Sequence, residues 1–168
     1  WQLLVTLGEY DSFILPGPIA VGKQFWVVLQ DGRLLKHSLI TIMEVIPGLL
    51  LGFFVALPLG YLLAKSRLAE RLLSPYLVAS QAIPIIAIAP LLTIWIASPY
   101  WSRVFVAALV VFFPVLIAII AGLRSVPAEL YEVMVSLKAT PWQVFHKLEY
   151  PASLPIVLSG LKIGATLS

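Results

Sequence analysis

The sequence lacks cysteine altogether and has two histidines among its 168 residues. Disulfide bonds and thiolate metal ligands are therefore excluded, and cysteine usage says nothing about the redox compartment. No His-Glu-x-x-His or Gly-x-Ser-x-Gly motif is present, and His37 and His146 lie at the ends of the apolar segments or outside them. A membrane-embedded hydrolase is disfavoured on these grounds, and we predict neither a catalytic nor a metal site in this chain.

Charged residues are also scarce. They make up 11% of the chain, whereas 61% of the residues are hydrophobic and the formal net charge is +3. About a quarter of the residues of a soluble domain are charged, so the charged fraction of this chain is unusually low. Together with a mean hydropathy of +1.01, this composition indicates an integral membrane protein. The basic residues are scattered between apolar segments, which disfavours nucleic acid as a partner. We predict an all-α, multi-spanning bundle in contact with membrane lipids.

Two regions are predicted along the chain. Residues 1–37 mix glycine, proline and charge, and form a loop with an amphipathic helix at Ile19 to Leu35. Residues 38–168 form a transmembrane domain. The chain begins at Trp1 without an initiator methionine or a signal-peptide pattern, and an apolar run is still in progress at Ser168. We therefore expect further sequence at both ends.

A short motif in the first region resembles a phosphate-binding loop. Residues 17–23 read GPIAVGK, which matches that loop as far as its lysine. The next residue is Gln24, where the magnesium-binding hydroxyl of Ser or Thr is required, and Pro18 removes a backbone N–H from the cradle. We interpret the motif as a turn before a helix.

Four apolar segments in the second region are candidate membrane spans. They are Ser38 to Ala64, Pro75 to Ala97, Arg103 to Leu123, and a run from Ala152 onward. In the first, Gly48 and Gly52 predict a close approach by another helix, although glycine is common in membrane helices without such a contact. Glu44 either faces a polar pathway or reaches back to the interface, and the second is favoured because a charge at the bilayer centre is costly.

The second span carries two prolines, Pro84 and Pro90. Each removes a helix hydrogen bond and leaves a carbonyl that must be covered by protein or by a water-filled cavity. We predict a kinked, interior helix. Its most polar side chain is Gln81, which either lines a translocation path together with the prolines or forms a hydrogen bond to another helix.

The distribution of basic residues predicts how the chain is oriented in the membrane. The Lys65 to Arg71 turn carries three basic residues and the 124–151 region carries three more, whereas the SPYWS connection at residues 98–102 has none. The positive-inside rule places the two basic regions in the cytoplasm, and SPYWS and residues 1–37 outside.

A polar stretch at residues 126–155 separates the third apolar segment from the fourth. Pro127 and an apolar stripe predict one helix, and a Thr-x-x-Gln capping box at Thr140 to Gln143 predicts a second. The stripe comprises Leu130, Val133, Met134 and Leu137. The second helix is predicted to end at Pro151. The result is a cytoplasmic helix pair joined at Lys138 to Ala139.

Five segments of the chain resemble a known family in their order and spacing. They are ILPGPIAV, ALPLGYLLAKSRLAERLLSPYL, QAIPIIAIAPLLTIWI, FFPVLIAIIAGLRSVPAELYE and YPASLPIVLSGLKIG. The family is the permease subunit of ATP-binding-cassette (ABC) importers, in the branch that includes nitrate, sulfonate, taurine and thiamine-precursor or riboflavin uptake systems. The resemblance implies a type I ABC importer permease fold in the plasma (inner) membrane of a bacterium.

The cytoplasmic loop of that family begins Glu-Ala-Ala, has glycine six residues after the glutamate, and ends near an Ile-x-Leu-Pro-like element. Here Glu132 matches the glutamate, Val133 and Met134 replace the alanines, and Pro151 matches the final proline. Lys138 stands in the place of the glycine. A lysine in a left-handed conformation costs about 1–2 kcal/mol, so either the loop keeps its shape at reduced stability or the bend is altered.

The resemblance also implies partners. The loop at about 124–152 would dock on cytoplasmic ATP-binding subunits, which use ATP, so that this chain binds no cofactor and is not an enzyme. The docking residues implied are Lys138, Ala139, Thr140, Pro141, Trp142 and Gln143, with Glu132 bracing the loop from inside. A second permease copy and an extracytoplasmic substrate-binding protein complete the importer.

The alternative is an ATP-independent carrier or channel subunit. Such a protein is expected to carry several ionisable residues within its spans, and Glu44 is the one that we identify there. The sequence does not predict the substrate.

Overall fold

A computed structural model describes residues 1–8 and 13–168, and all the regular structure in them is helical. The helices are α1 Gln2–Leu7, α2 Pro18–Gln30, α3 Arg33–Lys65, α4 Arg67–Gln81, α5 Ile85–Trp95, α6 Pro99–Arg124, α7 Ala128–Ser136, α8 Pro141–Val144, a π-helical turn Phe145–Glu149, and α9 Tyr150–Leu167. The predicted all-α class is confirmed. The described residues form two compact units, 1–43 and 44–168.

In the first unit, α2 begins where a turn followed by a helix was predicted. Gly17 is extended at the N-cap and Pro18 is the first helical residue, a position where the missing N–H has no helical partner to lose. The helix ends at Gln30, short of the predicted Leu35. The reason is Gly32, whose φ of 70° takes the chain out of the helix before α3 begins.

The core of the second unit lies between α3, α6 and α9. Two helices, α3 and α6, are long and apolar enough to cross a membrane, and they include the first and third predicted spans. The buried cluster joins side chains from the three helices. It includes Ala56 and Leu63 of α3, Val111, Val115, Leu116 and Ile119 of α6, and Val157 of α9.

Glycine allows α3 and α6 to approach closely, as the GLLLG motif predicted. A Cβ atom on Gly48 would lie 2.6 Å from the Cβ atom of Ala107, and one on Gly52 would lie 2.5 Å from the carbonyl oxygen of Ala108. The two backbones therefore touch at these positions, and the predicted helix contact is confirmed.

The prediction that the second span is a single kinked helix is wrong. The chain forms α4 and α5, and between them Pro84 is extended, with φ −60° and ψ 122°. Because proline disfavours a helical residue before it and cannot donate an N–H, α4 ends at Gln81. Pro90 lies inside α5. The side chains of Gln81, Pro84 and Pro90 are exposed within this chain, so the predicted interior environment is not found in the described unit.

Glu44 and Lys162 are charged residues within the predicted apolar segments. The carboxylate of Glu44 is 13% exposed and accepts a 2.7 Å charged hydrogen bond from Arg103 at the start of α6, a partner that the sequence analysis did not identify. Lys162 was missed altogether: it lies in α9, inside the fourth apolar run, and its side chain is exposed.

Candidate functional site

The candidate site is the loop that contains α7 and α8. Its first helix, α7, begins after Pro127, which serves as the N-cap. The predicted apolar stripe is present on α7 but is largely uncovered by the rest of the chain, since Leu130 and Val133 are exposed. At the bend, Leu137 is 72% exposed and Trp142 is 70% exposed. The loop therefore carries an apolar surface within a polar segment, which is typical of a surface that another protein covers.

The bend between the helices is a Schellman motif with lysine in the left-handed position. Lys138 has a φ of 54°. Its N–H donates to the carbonyl of Val135 at 2.9 Å, and the N–H of Ala139 donates to the carbonyl of Met134 at 3.0 Å. These two bonds satisfy carbonyls that the end of α7 leaves free. The loop therefore keeps the shape expected with glycine, although lysine occupies the position.

Substitution Lys138→Gly is expected to stabilise the protein by about 1 kcal/mol, because glycine enters the left-handed region without the steric penalty of a Cβ. The measurement is the free energy of unfolding of the purified protein in detergent. Lys147→Gly is the matched control, since Lys147 lies in a helical turn where glycine is expected to destabilise by about 0.5–1 kcal/mol. Equal changes in the free energy of unfolding for Lys138→Gly and Lys147→Gly would contradict the left-handed conformation assigned to the bend.

The second helix begins at the predicted capping box, which is confirmed. The backbone N–H of Thr140 donates to Oε1 of Gln143 at 2.8 Å, and the backbone N–H of Gln143 donates to Oγ1 of Thr140 at 3.4 Å. Both polar side chains are thus engaged in holding the helix start. The neighbouring Pro141 and Trp142 project from this start and are exposed.

The prediction that Pro151 ends the second helix is wrong. The chain passes from α8 through the π-helical turn into α9, and Pro151 lies at the beginning of α9. In the π turn the N–H of Tyr150 donates to the carbonyl of Phe145, five residues earlier. A wider turn of this kind displaces the carbonyl that a proline ring otherwise contacts. The helix that begins at the bend therefore continues to Leu167 in the apolar region.

A buried carboxylate connects the loop to α3. Glu149, in the π turn, is 1% exposed, and its Oε1 accepts a charged hydrogen bond from Nζ of Lys65 at the end of α3. The hydroxyl of Tyr61 donates to its Oε2 at 3.3 Å. The ammonium of Lys65 also lies 5.0 Å from the ring centre of Tyr131, which belongs to α7. We call these four residues the anchor.

Tyr131 contributes to the anchor as a neutral donor. Burial, followed by the negative charge of Glu149 and a hydrogen bond to it, raises the pKa of the Tyr131 phenol to about 12. The phenol therefore keeps its proton throughout the neutral pH range, and with it the ability to donate to the carboxylate. The anchor joins three helical segments that are distant in the sequence: α3, α7 and the π turn.

A second ion pair lies beside the loop. The guanidinium of Arg124, at the end of α6, is 2.6 Å from the carboxylate of Glu70 in α4. The hydrogen bond from Arg124 holds the pKa of Glu70 below its usual value. Arg124 also donates to the carbonyl of Leu63 at 3.4 Å, so the end of α6 is tied to both α3 and α4.

The predicted docking residues lie together around the bend, with one exception. Lys138, Thr140, Pro141, Trp142 and Gln143 are exposed, and Ala139 is half-buried. Glu132 is exposed on α7, and no ion pair of its carboxylate is found among residues 1–8 and 13–168. Its side chain therefore lies on the outside of the loop in this chain, and the carboxylate that is buried there belongs to Glu149. A bracing role for Glu132 stays a prediction. Contact of these residues with a partner remains a prediction.

The sequence offered one signal for Glu149 and none for its partners. An acidic residue directly before an apolar run, Glu149-Tyr150-Pro151, is an unusual place for a charge. Its hydrogen-bonding partners Lys65 and Tyr61 lie 84 and 88 positions away in the sequence. No local pattern predicts such pairs.

Comparison with known proteins gives a consistent result. Residues 48–168 match the family described as binding-protein-dependent transport system inner membrane component. Over its whole length the chain is 42% identical to the riboflavin transport system permease protein RibX of Chloroflexus aurantiacus, of which it covers 63%. It is 37% identical to a probable ABC transporter permease protein of Haemophilus influenzae, with all of this chain and 68% of that protein covered.

A third relative is the formylaminopyrimidine transport permease protein ThiX of Halalkalibacterium halodurans, with 33% identity over 94% of this chain and 63% of that protein. The chain thus spans 63 to 68% of the length of these three relatives. The matched residues contain α6, α7, α8 and α9 in full, including the bend and Glu149. The chain belongs to the family of inner membrane components of binding-protein-dependent transport systems.

Proposed function

We propose that this chain is the transmembrane permease subunit of an ABC importer, in which it forms part of the substrate path and couples that path to a cytoplasmic ATP-binding subunit. The observation that carries the proposal is the bend at Leu137 to Trp142. There an exposed apolar surface sits at the start of a helix that continues without interruption into the apolar region. Family membership supports the same conclusion.

The proposed partners follow from that role. The ATP-binding subunit contacts Lys138 to Gln143 on the cytoplasmic side and hydrolyses ATP, while this chain supplies no catalytic group. A second permease copy shares the path, and an extracytoplasmic binding protein delivers the substrate at the inner membrane of a bacterium. Relatives named for riboflavin and for formylaminopyrimidine are similar to this chain, so no substrate is proposed from a relative's name.

The geometry favours this role over an ATP-independent carrier. Glu44, the acidic residue within a span, is paired with Arg103 at 2.7 Å. The oxygen of this carboxylate is thus occupied by a cation of the same chain and is not left open to a passing ion.

Reconstitution of the full-length protein with its ATP-binding subunit tests the proposal. We expect ATP hydrolysis by the complex to differ from that of the isolated ATP-binding subunit, and we expect the effect to be lost when Trp142 is replaced by glutamate in the centre of the apolar surface. The control is Trp101→Glu, in the first turn of α6 on the predicted outer side. An ATPase rate that is indifferent to the permease would contradict the proposal.

A further inference from the structure

Lys162 is a cation in the middle of an apolar helix. The apolar part of α9 starts near Ala152, and ten residues at about 1.5 Å each place Lys162 roughly 15 Å along it. A hydrocarbon core is about 30 Å thick, so in the fourth span predicted from the sequence this lysine would lie near the midplane, where a lipid-facing charge is costly. The side chain must therefore face a polar environment or a partner of opposite charge.

The opposite face of α9 is the one that packs on α6. Ser153, Val157, Gly160 and Gly164 are buried, and a Cβ atom on Gly160 would overlap the Cβ atom of Ala118. Lys162 is two residues from both glycines, about 200° around the helix, and so points away from α6. None of the ion pairs found among residues 1–8 and 13–168 includes Lys162.

Hydroxyl side chains accompany the lysine on this exposed face. Ser159 precedes it by three residues and Thr166 follows it by four, so the three lie on one side of α9 and line a shallow groove with Ile163 and Leu167. The hydroxyl of Thr166 donates to the carbonyl of Lys162 at 2.8 Å. The proton of that hydroxyl is thus already used, and the donors that this face offers to an anionic group are the ammonium of Lys162 and the hydroxyl of Ser159.

We propose that Ser159, Lys162 and Thr166 line the substrate path and that Lys162 provides a cationic subsite for a carboxylate, sulfonate or phosphate group. This inference rests on the proposed function, since it places a substrate path along the exposed face of α9. It goes beyond that function because it names the charge of the group that the path accepts.

Cysteine chemistry tests the inference without knowledge of the substrate. None of these 168 residues is a cysteine, so Ser159→Cys gives the one thiol among them, beside Lys162. The variant is made in the full-length protein, assembled with its ATP-binding subunit, and any cysteine elsewhere in the complex is first replaced by serine. Two water-soluble methanethiosulfonates serve as probes, one with an anionic sulfonate and one with a cationic trimethylammonium group. We expect the thiol to react with both and to favour the anionic reagent.

The variant Lys162→Gln in the Ser159→Cys protein isolates the contribution of the charge. We expect the ratio of anionic to cationic reaction rates to fall by about tenfold or more, because the lysine attracts one reagent and repels the other. The control thiol replaces Ile117, an exposed apolar residue of α6, and is expected to react slowly with both reagents because lipid covers it.

The outcomes separate this inference from the proposed function. If Ser159→Cys reacts no faster than the Ile117 control, the face of α9 is not a water-filled path and the inference is wrong. If it reacts but Lys162→Gln leaves the ratio unchanged, no cationic subsite exists there. Either result together with permease-dependent ATP hydrolysis overturns the inference alone, whereas indifference of the ATPase rate to the permease overturns the proposed function.

Discussion

Substitution Lys65→Met is expected to lower the free energy of unfolding by about 3 kcal/mol. It leaves the carboxylate of Glu149, which is 1% exposed, without its cation, and breaking a buried ion pair in this way costs about 3–5 kcal/mol. The lower end of that range applies because Lys65 itself is 39% exposed and is already partly hydrated. The measurement is unfolding of the purified protein in mixed detergent micelles.

Two further variants distinguish a lost ion pair from a general loss of packing. Lys65→Met combined with Glu149→Leu removes both charges, and we expect most of the lost stability to return, since an apolar pair of similar volume is often as stable as a buried ion pair. Lys147→Met, at an exposed lysine two residues from Glu149, is expected to have little effect. A double variant as unstable as Lys65→Met alone would contradict the role assigned to the anchor.

The second large effect is expected at the contact between α3 and α6. Gly52→Ala places a methyl group 2.5 Å from the carbonyl oxygen of Ala108, which belongs to the backbone and cannot rotate away. The helices must separate, and overpacking of this kind costs about 1–3 kcal/mol. Gly60→Ala is expected to destabilise the protein less, because the atoms nearest to the added methyl group belong to the side chain of Ile119, which can move.

The matched control for Gly52 is another helical glycine. Gly22 lies in α2, and no heavy atom of the described residues outside its own helix lies within 4 Å of a Cβ atom placed on it. Gly22→Ala is therefore expected to stabilise the protein by about 0.5–1 kcal/mol through helix propensity alone. If Gly22→Ala raises the free energy of unfolding and Gly52→Ala lowers it, the contact between α3 and α6 is supported. Stabilisation by both substitutions would contradict that contact.

Local features of the fold could be predicted from the sequence because local chemistry produces them. The capping box at Thr140 to Gln143 needs two side chains three residues apart, and it forms as expected. The GLLLG contact was likewise predicted from neighbouring residues. Both of these features depend on a spacing that is visible in a window of a few residues. The bend at Lys138, in contrast, was located by the resemblance to the family, which left open whether its left-handed shape is kept.

The errors have a different origin. Pro84 breaks the chain into α4 and α5, whereas Pro151 is accommodated inside a helix by the π turn before it. Proline also lies inside α-helices without a preceding π turn, at Pro47, Pro58, Pro114 and Pro155, so the residue alone does not determine whether a helix ends. A proline in a sequence indicates a disturbed helix but does not by itself show which of these two responses the chain adopts.

Among the residues of the candidate site, those in local or family patterns were predicted, and those that depend on long-range contacts were not. The bend was found from its family pattern and its capping box, but the anchor was not found, because Glu149 pairs with residues more than eighty positions away. Glu132 was chosen as the internal brace on its place in the motif, yet it faces outward from α7. Which of the two carboxylates is buried depends on the three-dimensional arrangement of α3, α7 and the π turn.

Together these features give the loop its proposed mechanical role. The exposed apolar surface at the bend is joined to α9 through the π turn, and the side chains of the anchor connect that turn to α3. A displacement of the bend by a partner would thus reach α9 through the backbone and α3 through side-chain contacts. The account depends on one contact that the isolated chain does not contain, namely a partner at Trp142.

Site-directed crosslinking at Trp142 tests that contact most directly. Because Thr140 and Gln143 are used in the capping box, the cysteine is placed at Trp142, whose side chain is free of it, in a chain that has no other cysteine. Co-expression with an ATP-binding subunit that carries a cysteine in its permease-facing cleft is predicted to give a crosslink that Trp101→Cys, in the predicted outer connection, does not give. No crosslink at Trp142 in any nucleotide state, or an equal yield at Trp101, would contradict the account.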